Sequence, residues 1–467
     1  MTTQQPSRRS FVKQASCGFG SLAMMAMGAS GIQAATPDYR VPPRAKRIIF
    51  LFMQGGVSQV DSFDYKPALA EYHQQEFAFD DARTIAKQGK HGTKHKLMKS
   101  PWEFRPYGQS GKLVSDLFPE TASHVDDLCF LHGMHTEGVA HGPSTLFLHC
   151  GASNFIRPSI GSWVYYGLGT ENEDLPGFVS ISPSIGNGGS RNYGTAFLPA
   201  RFQGTPIGTA GKDQLRLDNM ERPADMSPIA SSQRELIHRL NRAQLDRRRN
   251  LGDLPAIDES YDLAWRMQRV APELMDLSQE SKATQTAYGL DNPKTRGYGR
   301  KCLLARRLCE AGVRFIQVTY GDNSANPSWD QHSNIPKHAH HAAAVDQPIA
   351  ALLADLRQRG LLEDTIVWWG SEFGRTPYAQ NNGTGRDHNP VGFTVWLAGG
   401  GFRPGFSFGA TDEFGFQAIQ GKVHMHDLHA TLLHQLGINH ERLTYRHAGR
   451  DFRLTDVYGR ITHDVLT

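Results

Sequence analysis

The chain has 467 residues, of which 39% are hydrophobic and 21% are charged, and its formal net charge is +4 at pH 7. This length allows a large buried core, in one big domain or two. A net charge this close to zero argues against nucleic-acid binding, which needs a concentrated basic face.

The N-terminus has the pattern of a twin-arginine export signal. Residues 7 to 13 read SRRSFVK, and a weakly apolar run, CGFGSLAMMAMGASGIQAA, follows them. This combination is typical of twin-arginine signal peptides. Because the run falls short of the ~20 strongly apolar residues that a membrane span needs, we expect cleavage near Ala34 or Ala35 and no stable membrane span. The sequence therefore predicts a signal peptide over 1–35, contact with the twin-arginine translocase during export, and a periplasmic or secreted protein.

Removal of this segment changes both the charge and the cysteine count. Arg8, Arg9 and Lys13 account for three of the four net positive charges, with no acidic residue before Asp38. The mature chain is therefore close to neutral. Cys17 leaves with the signal, and the four remaining cysteines are too few for a disulfide scaffold, although a bridge in an oxidising periplasm stays open.

The mature chain alternates short apolar runs with helical patterns. Apolar runs bounded by glycine or polar residues, typical of buried strands, cover 47–53, 128–134, 313–321, 365–374 and 392–401. A helix begins near Pro143, and helical patterns that end in glycine cover 300–312, 338–360 and 426–437. This alternation predicts an α/β fold with a mostly parallel sheet covered by helices on both faces.

The middle of the chain departs from this alternation. Residues 182–211 are rich in Gly, Ser and Asn, and residues 231–288 are charged with helical periodicity. We interpret about 182–295 as an insertion, a loop segment and then amphipathic helices that pack on the α/β core. One large domain over 36–467 would contain it.

Polar side chains follow several of the predicted strands directly. They are His132, His135 and His141 after or within the run at 128–134, Asp330 and His332 after 313–321, Glu372 near the end of 365–374, and Asp387 with His388 before 392–401. Ligands bind at the carboxyl ends of the strands in open α/β sheets, and divalent metals take carboxylates and neutral imidazoles. The sequence therefore predicts a metal site at this edge of the sheet.

Each of these signals also has a structural interpretation. Asp330 and His332 can be hydrogen-bonding residues of a loop. Glu372 can be the ion-pair partner of Arg375, and the pair at 387–388 can form a turn that bonds to its own backbone.

Two other groups near these segments favour structural roles. The three histidines within 338–341 have the spacing of an exposed helix face. Tyr320, Trp329 and Tyr378 could stack on sugar rings, although packing in the core or anchoring a loop is the commoner role.

An ordered series of motifs resembles the DUF1501 family. The motifs include MQGGVSQVDSFDYKP, HGMHTEGVAHGP, WDQHSN, RGLLEDTIVWWGSEFGRTP, GRDHNP and DLHATLLHQLGI, and they run from about Arg47 to the closing HAGRDFRL. Proteins of this family are typically exported and are related to the alkaline phosphatase and sulfatase superfamily. The resemblance implies an alkaline-phosphatase-like three-layer αβα sandwich with a mostly parallel central sheet and a helical insertion.

The resemblance also implies roles for particular residues. Superfamily members use an Asp and a His in a loop before a long helix, an acidic residue and a His after a late strand, and a final His. Asp330 and His332 resemble the loop pair. Glu372 resembles the acidic member of the late pair, and His388 resembles the final His.

The chain departs from the superfamily pattern at several positions. Phe373 replaces the His of the late pair and cannot bind a metal, and Gln54 stands where a first carboxylate is expected, so Asp61 or Asp64 would have to reach the site. The sulfatase nucleophile motif is absent. Ser144, or the threonine after it, is the remaining candidate nucleophile near a helix N-terminus, where such residues also serve as ordinary caps. These losses favour one metal ion over two.

Two functions from different classes remain open on the sequence. The first is a metal-dependent hydrolase of phosphate or sulfate esters, acting on a small molecule or a polysaccharide. Its predicted metal ligands to Zn, Mn or Ca are Asp330, His332, Glu372, His388 and Asp61, and its predicted catalytic residues are His141, His135 and Ser144. The second is a catalytically degenerate exported binding or structural module, for example one that binds glycans.

Overall fold

The structure is a computed structural model, and it describes residues 39–80, 93–217, 230–247, 254–380 and 383–467. The predicted signal peptide and its cleavage site lie outside the described residues. The chain from Val41 to Thr467 forms one compact unit. Within the ranges that the structure describes, no helix combines the length and the apolar character needed to cross a membrane.

The strands fall into one large sheet and several two-stranded pairs. They are β1 (Arg47–Met53), β2 (Glu76–Phe79), β3 (Thr93–Lys96), β4 (Phe104–Tyr107), β5 (Lys112–Ser115), β6 (Leu128–His135), β7 (Phe178–Ile181), β8 (Thr205–Ile207), β9 (Phe315–Tyr320), β10 (Thr365–Gly370), β11 (Gly374–Gln380), β12 (Gly385–Asn389), β13 (Phe393–Ala398), β14 (Phe406–Phe408), β15 (Ala410–Thr411), β16 (Ala418–Gln420), β17 (Val423–His424), β18 (Tyr445–His447) and β19 (Arg450–Phe452).

The α-helices connect or cover these strands. They are α1 (Ala68–Glu71), α2 (Pro119–Ala122), α3 (His141–Cys150), α4 (Ile160–Leu168), α5 (Ala230–Arg247), α6 (Leu254–Met275), α7 (Lys282–Ala287), α8 (Arg296–Glu310), α9 (His338–Gln358) and α10 (Met425–Gln435).

The central sheet has the strand order β14-β6-β13-β10-β1-β9-β7-β8, and β17 also pairs with β6. Strand β1 runs parallel to both of its neighbours, β9 and β10. Strand β13 runs antiparallel to β10 and to β6. The predicted α/β class with a mostly parallel central sheet is confirmed.

Burial on both faces of the sheet explains why its strands are continuous apolar runs. All seven residues of β1 are buried. Ile49, Leu51 and Met53 belong to the core cluster that also contains apolar side chains of α8 and α9. Phe50 and Phe52 point the other way and lie against His149 of α3. Helices therefore cover the sheet on both sides and make three layers.

The antiparallel direction of β13 follows from how the chain reaches it. A parallel neighbour needs a crossover of a dozen or more residues, usually with a helix. Here β11 and β12 instead form an antiparallel pair between β10 and β13. This pair projects beyond the carboxyl edge of the sheet and carries Arg375, Arg386 and His388.

The stretch predicted as an insertion supplies both helices and a strand. The helical pattern at 231–288 corresponds to α5, α6 and α7. Strand β8, within the loop-like stretch at 182–211, pairs in parallel with β7 at the edge of the central sheet. Part of this stretch therefore belongs to the α/β core itself.

The four cysteines within the described residues are buried free thiols: Cys129, Cys150, Cys302 and Cys309. Burial raises the pKa of Cys129 and that of Cys150 to about 12. These thiols are therefore protonated packing groups.

Candidate metal centre

Four side chains from three segments meet beyond the carboxyl ends of the strands. His141 follows β6, Asp330 and His332 follow β9, and His388 lies on β12, after β10. Each offers one ligand atom, and these atoms all lie within 4.8 Å of one another. The predicted convergence of the strand-end segments is present in the structure.

A close backbone approach holds the Asp330 loop against the end of β1. The amide of Trp329 donates to the carbonyl of Gln54 at 3.2 Å, and the buried indole of Trp329 anchors the loop in the core. Gly55 has φ +118°, and a Cβ there would lie 2.8 Å from the backbone nitrogens of both Trp329 and Asp330. Only glycine combines this φ with this contact.

The hairpin of β11 and β12 brings His388 to the same place. His388 pairs with Arg375 across the two strands. Its Nδ1 lies 2.7 Å from the carbonyl oxygen of Val139, just before α3. The loop that presents His141 therefore also orients the ring of His388.

Hydrogen-bond partners assign the same tautomer to all three histidines. The Nδ1 of His141 lies 2.7 Å from Oε1 of Glu372, and that of His332 contacts Oε1 of Gln380. The Nδ1 of His388 faces a backbone carbonyl. Because these oxygens only accept, each Nδ1 carries the hydrogen, and each neutral ring keeps a lone pair on Nε2.

The three Nε2 atoms converge on one carboxylate. The Nε2 atoms of His332 and His388 lie 2.9 Å and 3.1 Å from Oδ1 of Asp330, and 3.0 Å from each other. The Nε2 of His141 lies 3.2 Å from Oδ2 of Asp330 and is buried without a hydrogen-bond partner. Lone pairs that face lone pairs at these distances repel unless a cation lies among them.

The donor set fits a divalent metal ion. Three imidazole nitrogens and one carboxylate suit zinc and similar ions of intermediate softness. The second ring nitrogen of each histidine is held by an oxygen, as is usual for metal-bound histidines. The residues present therefore fit the predicted ion.

The surrounding groups act on the ligands in different directions. Burial would lower the pKa of His141, but its contacts with Asp330 and Glu372 raise it overall. Burial alone would raise the pKa of Asp330, but the three histidine rings and the charge of Arg375, all in contact with the carboxylate, hold it well below its usual range. Burial lowers the pKa of His388 to about 4, although the Asp330 carboxylate and the carbonyl of Val139 oppose the shift. At neutral pH the carboxylate is therefore ionised and His388 is neutral.

Arg375 is a fully buried cation at the base of the group. Its Nη2 lies 2.7 Å from Oδ1 of Asp330, and its other nitrogens donate to the carbonyls of Gly56 at 2.9 Å and Arg386 at 3.1 Å. The alternative that Arg375 pairs with Glu372 is not what the structure shows. Arg375 fixes Asp330 instead, and all of its donors are directed at protein oxygens.

Glu372 is a predicted ligand that lies behind the group and contacts His141. Its oxygens accept from the amide of Gly55 at 3.0 and 3.1 Å and from the hydroxyl of Ser371 at 2.7 Å. Burial would raise the pKa of Glu372, but the hydrogen bonds from His141 and from the amide of Gly55 lower it overall. Glu372 is therefore an ionised carboxylate that orients His141.

Asp61, another predicted ligand, is not brought into the four-residue group. Its oxygens lie 2.7 and 3.1 Å from the guanidinium of Arg386, and one of them accepts from the hydroxyl of Ser58 at 2.6 Å. The prediction of Asp61 as a metal ligand is wrong, because the ion pair with Arg386 already engages both of its oxygens. Asp64 likewise accepts from Thr411 at 2.6 Å and pairs with Lys66 at 3.2 Å.

Two predicted catalytic residues, His135 and Ser144, do not belong to the four-residue group. His135 ends β6 and is half-buried, with its ring centroid 5.0 Å from that of His424. Ser144 lies in the first turn of α3, three residues after His141, and its hydroxyl is buried without a hydrogen-bond partner. Its predicted position near a helix N-terminus agrees with the structure.

Some contacts at the site were not predicted from the sequence. His141 was expected as an acid or base, but its Nε2 joins the ligand group. The sequence feature that could have indicated this role is the position of His141 at the start of the helix that follows β6. Gln380 and the carbonyl of Val139 orient two of the rings, and no sequence pattern marks such contacts.

The three aromatic residues that could stack on sugars, and the histidines at 338–341, have mainly structural contacts. Trp329 and Tyr378 are buried, which excludes stacking of either ring on a sugar. Tyr320 donates to or accepts from His341 at 3.0 Å. The expectation of an exposed face is wrong for His338, which is buried and accepts from the amide of Ser58 at 3.2 Å.

The fold and the site define a mixed α/β protein with a candidate metal centre of three histidines and one aspartate at the carboxyl edge of its sheet. The chain belongs to the DUF1501 family, whose family model, described as "Protein of unknown function (DUF1501)", matches residues 45–466. No curated protein matches the chain.

Several solved structures are similar to the chain at low identity. The lipoteichoic acid synthase LtaP from Listeria monocytogenes is 8% identical over 90% of this chain and 77% of that chain, with a TM-score of 0.37. A protein in the alkaline phosphatase superfamily from Vibrio parahaemolyticus is 9% identical over 86% and 69%, with a TM-score of 0.36. The alkaline phosphatase from the Antarctic bacterium TAB5 is 12% identical over 76% and 92%, with a TM-score of 0.30. At these scores the likeness carries no information about activity.

Proposed function

We propose that the protein is an exported, metal-dependent hydrolase of phosphate or sulfate esters. The observation that carries this proposal is the convergence of three histidine Nε2 lone pairs on the carboxylate of Asp330. The ester class rests on the resemblance of the family to the alkaline phosphatase and sulfatase superfamily. Export rests on the twin-arginine pattern at residues 7 to 13.

One divalent ion would be held by His141, Asp330, His332 and His388. We favour a single ion because the described residues supply one such group. Phe373 packs beside it, with its ring centroid 4.3 Å from that of His388, where a second site would need another ligand. When bound, such an ion polarises an ester oxygen and lowers the pKa of a bound water.

The surrounding residues prepare this chemistry. Glu372 holds the proton of His141 on Nδ1, so that Nε2 stays available. Arg375 fixes the Asp330 carboxylate and offsets its charge. Burial of the group excludes water, which strengthens every electrostatic interaction inside it.

Proton transfer and nucleophilic attack need other side chains. Since His141 is occupied as a ligand, His135 is the remaining candidate for the acid or base. Burial and the nearby His424 lower the pKa of His135, so its neutral ring can accept a proton at pH 7. Ser144, with an unpartnered hydroxyl at the start of α3, is the candidate nucleophile.

The test begins with metal content, measured by elemental mass spectrometry on mature protein purified without chelator or metal resin. We expect about one zinc or manganese ion per chain, because calcium takes oxygen ligands and three of these four ligands are imidazoles. The ion should be lost in His388→Ala and retained in His340→Ala, an exposed histidine of α9. The loaded protein should hydrolyse p-nitrophenyl phosphate or p-nitrophenyl sulfate, and His388→Ala should not. No bound metal after incubation with each ion would overturn the proposal.

A second function, an exported binding or structural module, is favoured by one specific observation. Oδ1 of Asp330 already faces Arg375, His332 and His388, so protonation of a single histidine could satisfy the group without a metal. A protein that binds a glycan but hydrolyses neither ester, whichever metal is supplied, would establish this alternative.

A further inference from the structure

A second polar cavity lies apart from the candidate metal centre. Its volume is about 360 Å³, and its lining includes Asp64, Tyr65, Lys112, His132 and Ser407. It shares no residue with the four-residue group. A cavity of this size is large enough for a single sugar ring.

Lys112 is the cation that makes this cavity unusual. Its Nζ lies 2.5 Å from Nε2 of His132 and 3.3 Å from Oγ of Ser407, and it lies over the ring of Phe130 at 4.6 Å from the centroid. These partners are neutral. The described part of the chain places no carboxylate within ion-pair distance of Lys112, so its charge is not offset by a direct contact.

The tautomer of His132 fits this arrangement. Its Nδ1 lies 3.0 Å from the hydroxyl of Thr394, to which it can donate. Burial, followed by the charges of Lys112 and Lys66, lowers the pKa of His132 well below its usual range. His132 is therefore neutral and accepts from Lys112, which fixes the direction of the ammonium group.

The charged groups around Lys112 carry one positive charge in excess. Asp64 is the carboxylate that acts on Lys112, but it is paired with Lys66 at 3.2 Å and accepts from Thr411 at 2.6 Å. Burial lowers the pKa of Lys112 to about 8; Asp64 opposes this shift and Lys66 adds to it. Two ammonium groups against one carboxylate leave room for one anionic group on a ligand.

An aromatic side chain stands at the edge of the same cavity. Tyr65 is 43% exposed, and its ring packs on Phe104 with centroids 4.9 Å apart. This packing holds the ring in place while much of the side chain stays exposed. An aromatic face next to a cation is a combination that suits a sugar ring carrying an acidic group.

We propose that this cavity binds a monosaccharide unit with one anionic group, a carboxylate or a sulfate, with the anion on Lys112 and the ring against Tyr65. The cavity would act as a recognition site for acidic glycans. This proposal does not depend on the proposed hydrolase function, because none of these residues belongs to the metal group.

The test is a binding titration by calorimetry or ligand-observed NMR in the presence of EDTA. The probes are methyl glucuronide, glucose 6-sulfate and uncharged methyl glucoside. We expect binding of one or both charged sugars, at least tenfold weaker in Lys112→Gln and unchanged in Lys282→Gln, which removes an exposed lysine of α7. The glucuronide and the sulfate distinguish the two anionic groups.

Tyr65→Ala provides an independent arm, because an exposed side chain can be removed without emptying the core. It should weaken binding of the charged sugars several-fold and leave binding of inorganic sulfate unchanged. Equal binding of methyl glucoside, full retention in Lys112→Gln, or no effect of Tyr65→Ala would overturn the proposal. Loss of sugar binding in His388→Ala would also overturn it, because the anion would then lie at the metal centre.

Discussion

Replacement of Glu372 by glutamine isolates the role of the carboxylate behind the metal group. The side chain keeps its size, but its charge is lost, and an amide group replaces one of two oxygens that both lie near the amide of Gly55 at 3.0 and 3.1 Å. One oxygen must still accept from His141, which leaves two donors facing each other at the other position. We expect metal affinity to fall 10- to 100-fold, or about 1.4 to 2.8 kcal/mol.

The assay for this change is a competition titration of zinc against a chromogenic chelator. Thermal unfolding with and without zinc checks that the variant folds and that the loss is confined to the metal-bound form. Glu363→Gln, at an exposed position before β10, is the matched control and should bind zinc like the natural chain. Equal zinc affinity of Glu372→Gln and the natural chain would refute the orienting role of Glu372.

Three further changes test the fold around the site. Burial raises the pKa of Asp346 to about 6. Between about pH 4 and pH 6 the folded protein therefore binds one more proton than the unfolded chain. The contribution of Asp346 to stability is fully present below pH 4 and is lost as the pH rises through 6. The unfolding free energy of the natural chain relative to Asp346→Asn should therefore fall by on the order of 2 kcal/mol across this window in urea titrations. Gly55→Ala should lower the free energy of unfolding by about 2–5 kcal/mol in chemical denaturation and should lose metal, because φ of Gly55 is +118° and a Cβ would lie 2.8 Å from backbone nitrogens. Gly111→Ala is the control: its φ is +62° and a Cβ would meet open space, so the loss should be less than half as large. Arg386→Met should destabilise the protein by about 3–5 kcal/mol, because it leaves Asp61 buried without its ion-pair partner. The double variant Arg386→Met with Asp61→Leu should recover part of that loss. No recovery would contradict the ion-pair explanation.

The order of strands and helices could be predicted from local patterns, because burial determines which positions of a strand or helix are apolar. A strand covered on both faces is apolar at nearly every position, so the apolar run after Arg47 predicted β1 with its bounds as the structure has them. The helices α8, α9 and α10 were predicted from apolar periodicity and terminal glycines in the same way. The direction of β13 was not readable, because it depends on the β11–β12 hairpin rather than on any property of its own residues.

At the site, residue type and position near strand ends gave a larger set of candidate ligands, and the resemblance to the superfamily selected Asp330, His332 and His388 from it. The structure brings these three side chains together with His141. Tertiary contacts decided the rest. Asp61 and Glu372 are both acidic and buried, yet one is taken by Arg386 and the other orients His141.

The sequence by itself determined the α/β class and the edge of the sheet where polar side chains gather, because these follow from periodicity and from the direction of parallel strands. Its ordered series of motifs indicated the family. Only the tertiary structure decided which buried charges pair, which tautomer each histidine adopts, and that Lys112 has neutral partners. Such assignments depend on distances of about 3 Å between groups that are distant in sequence, as between Lys112 and Ser407, and no local pattern encodes those distances.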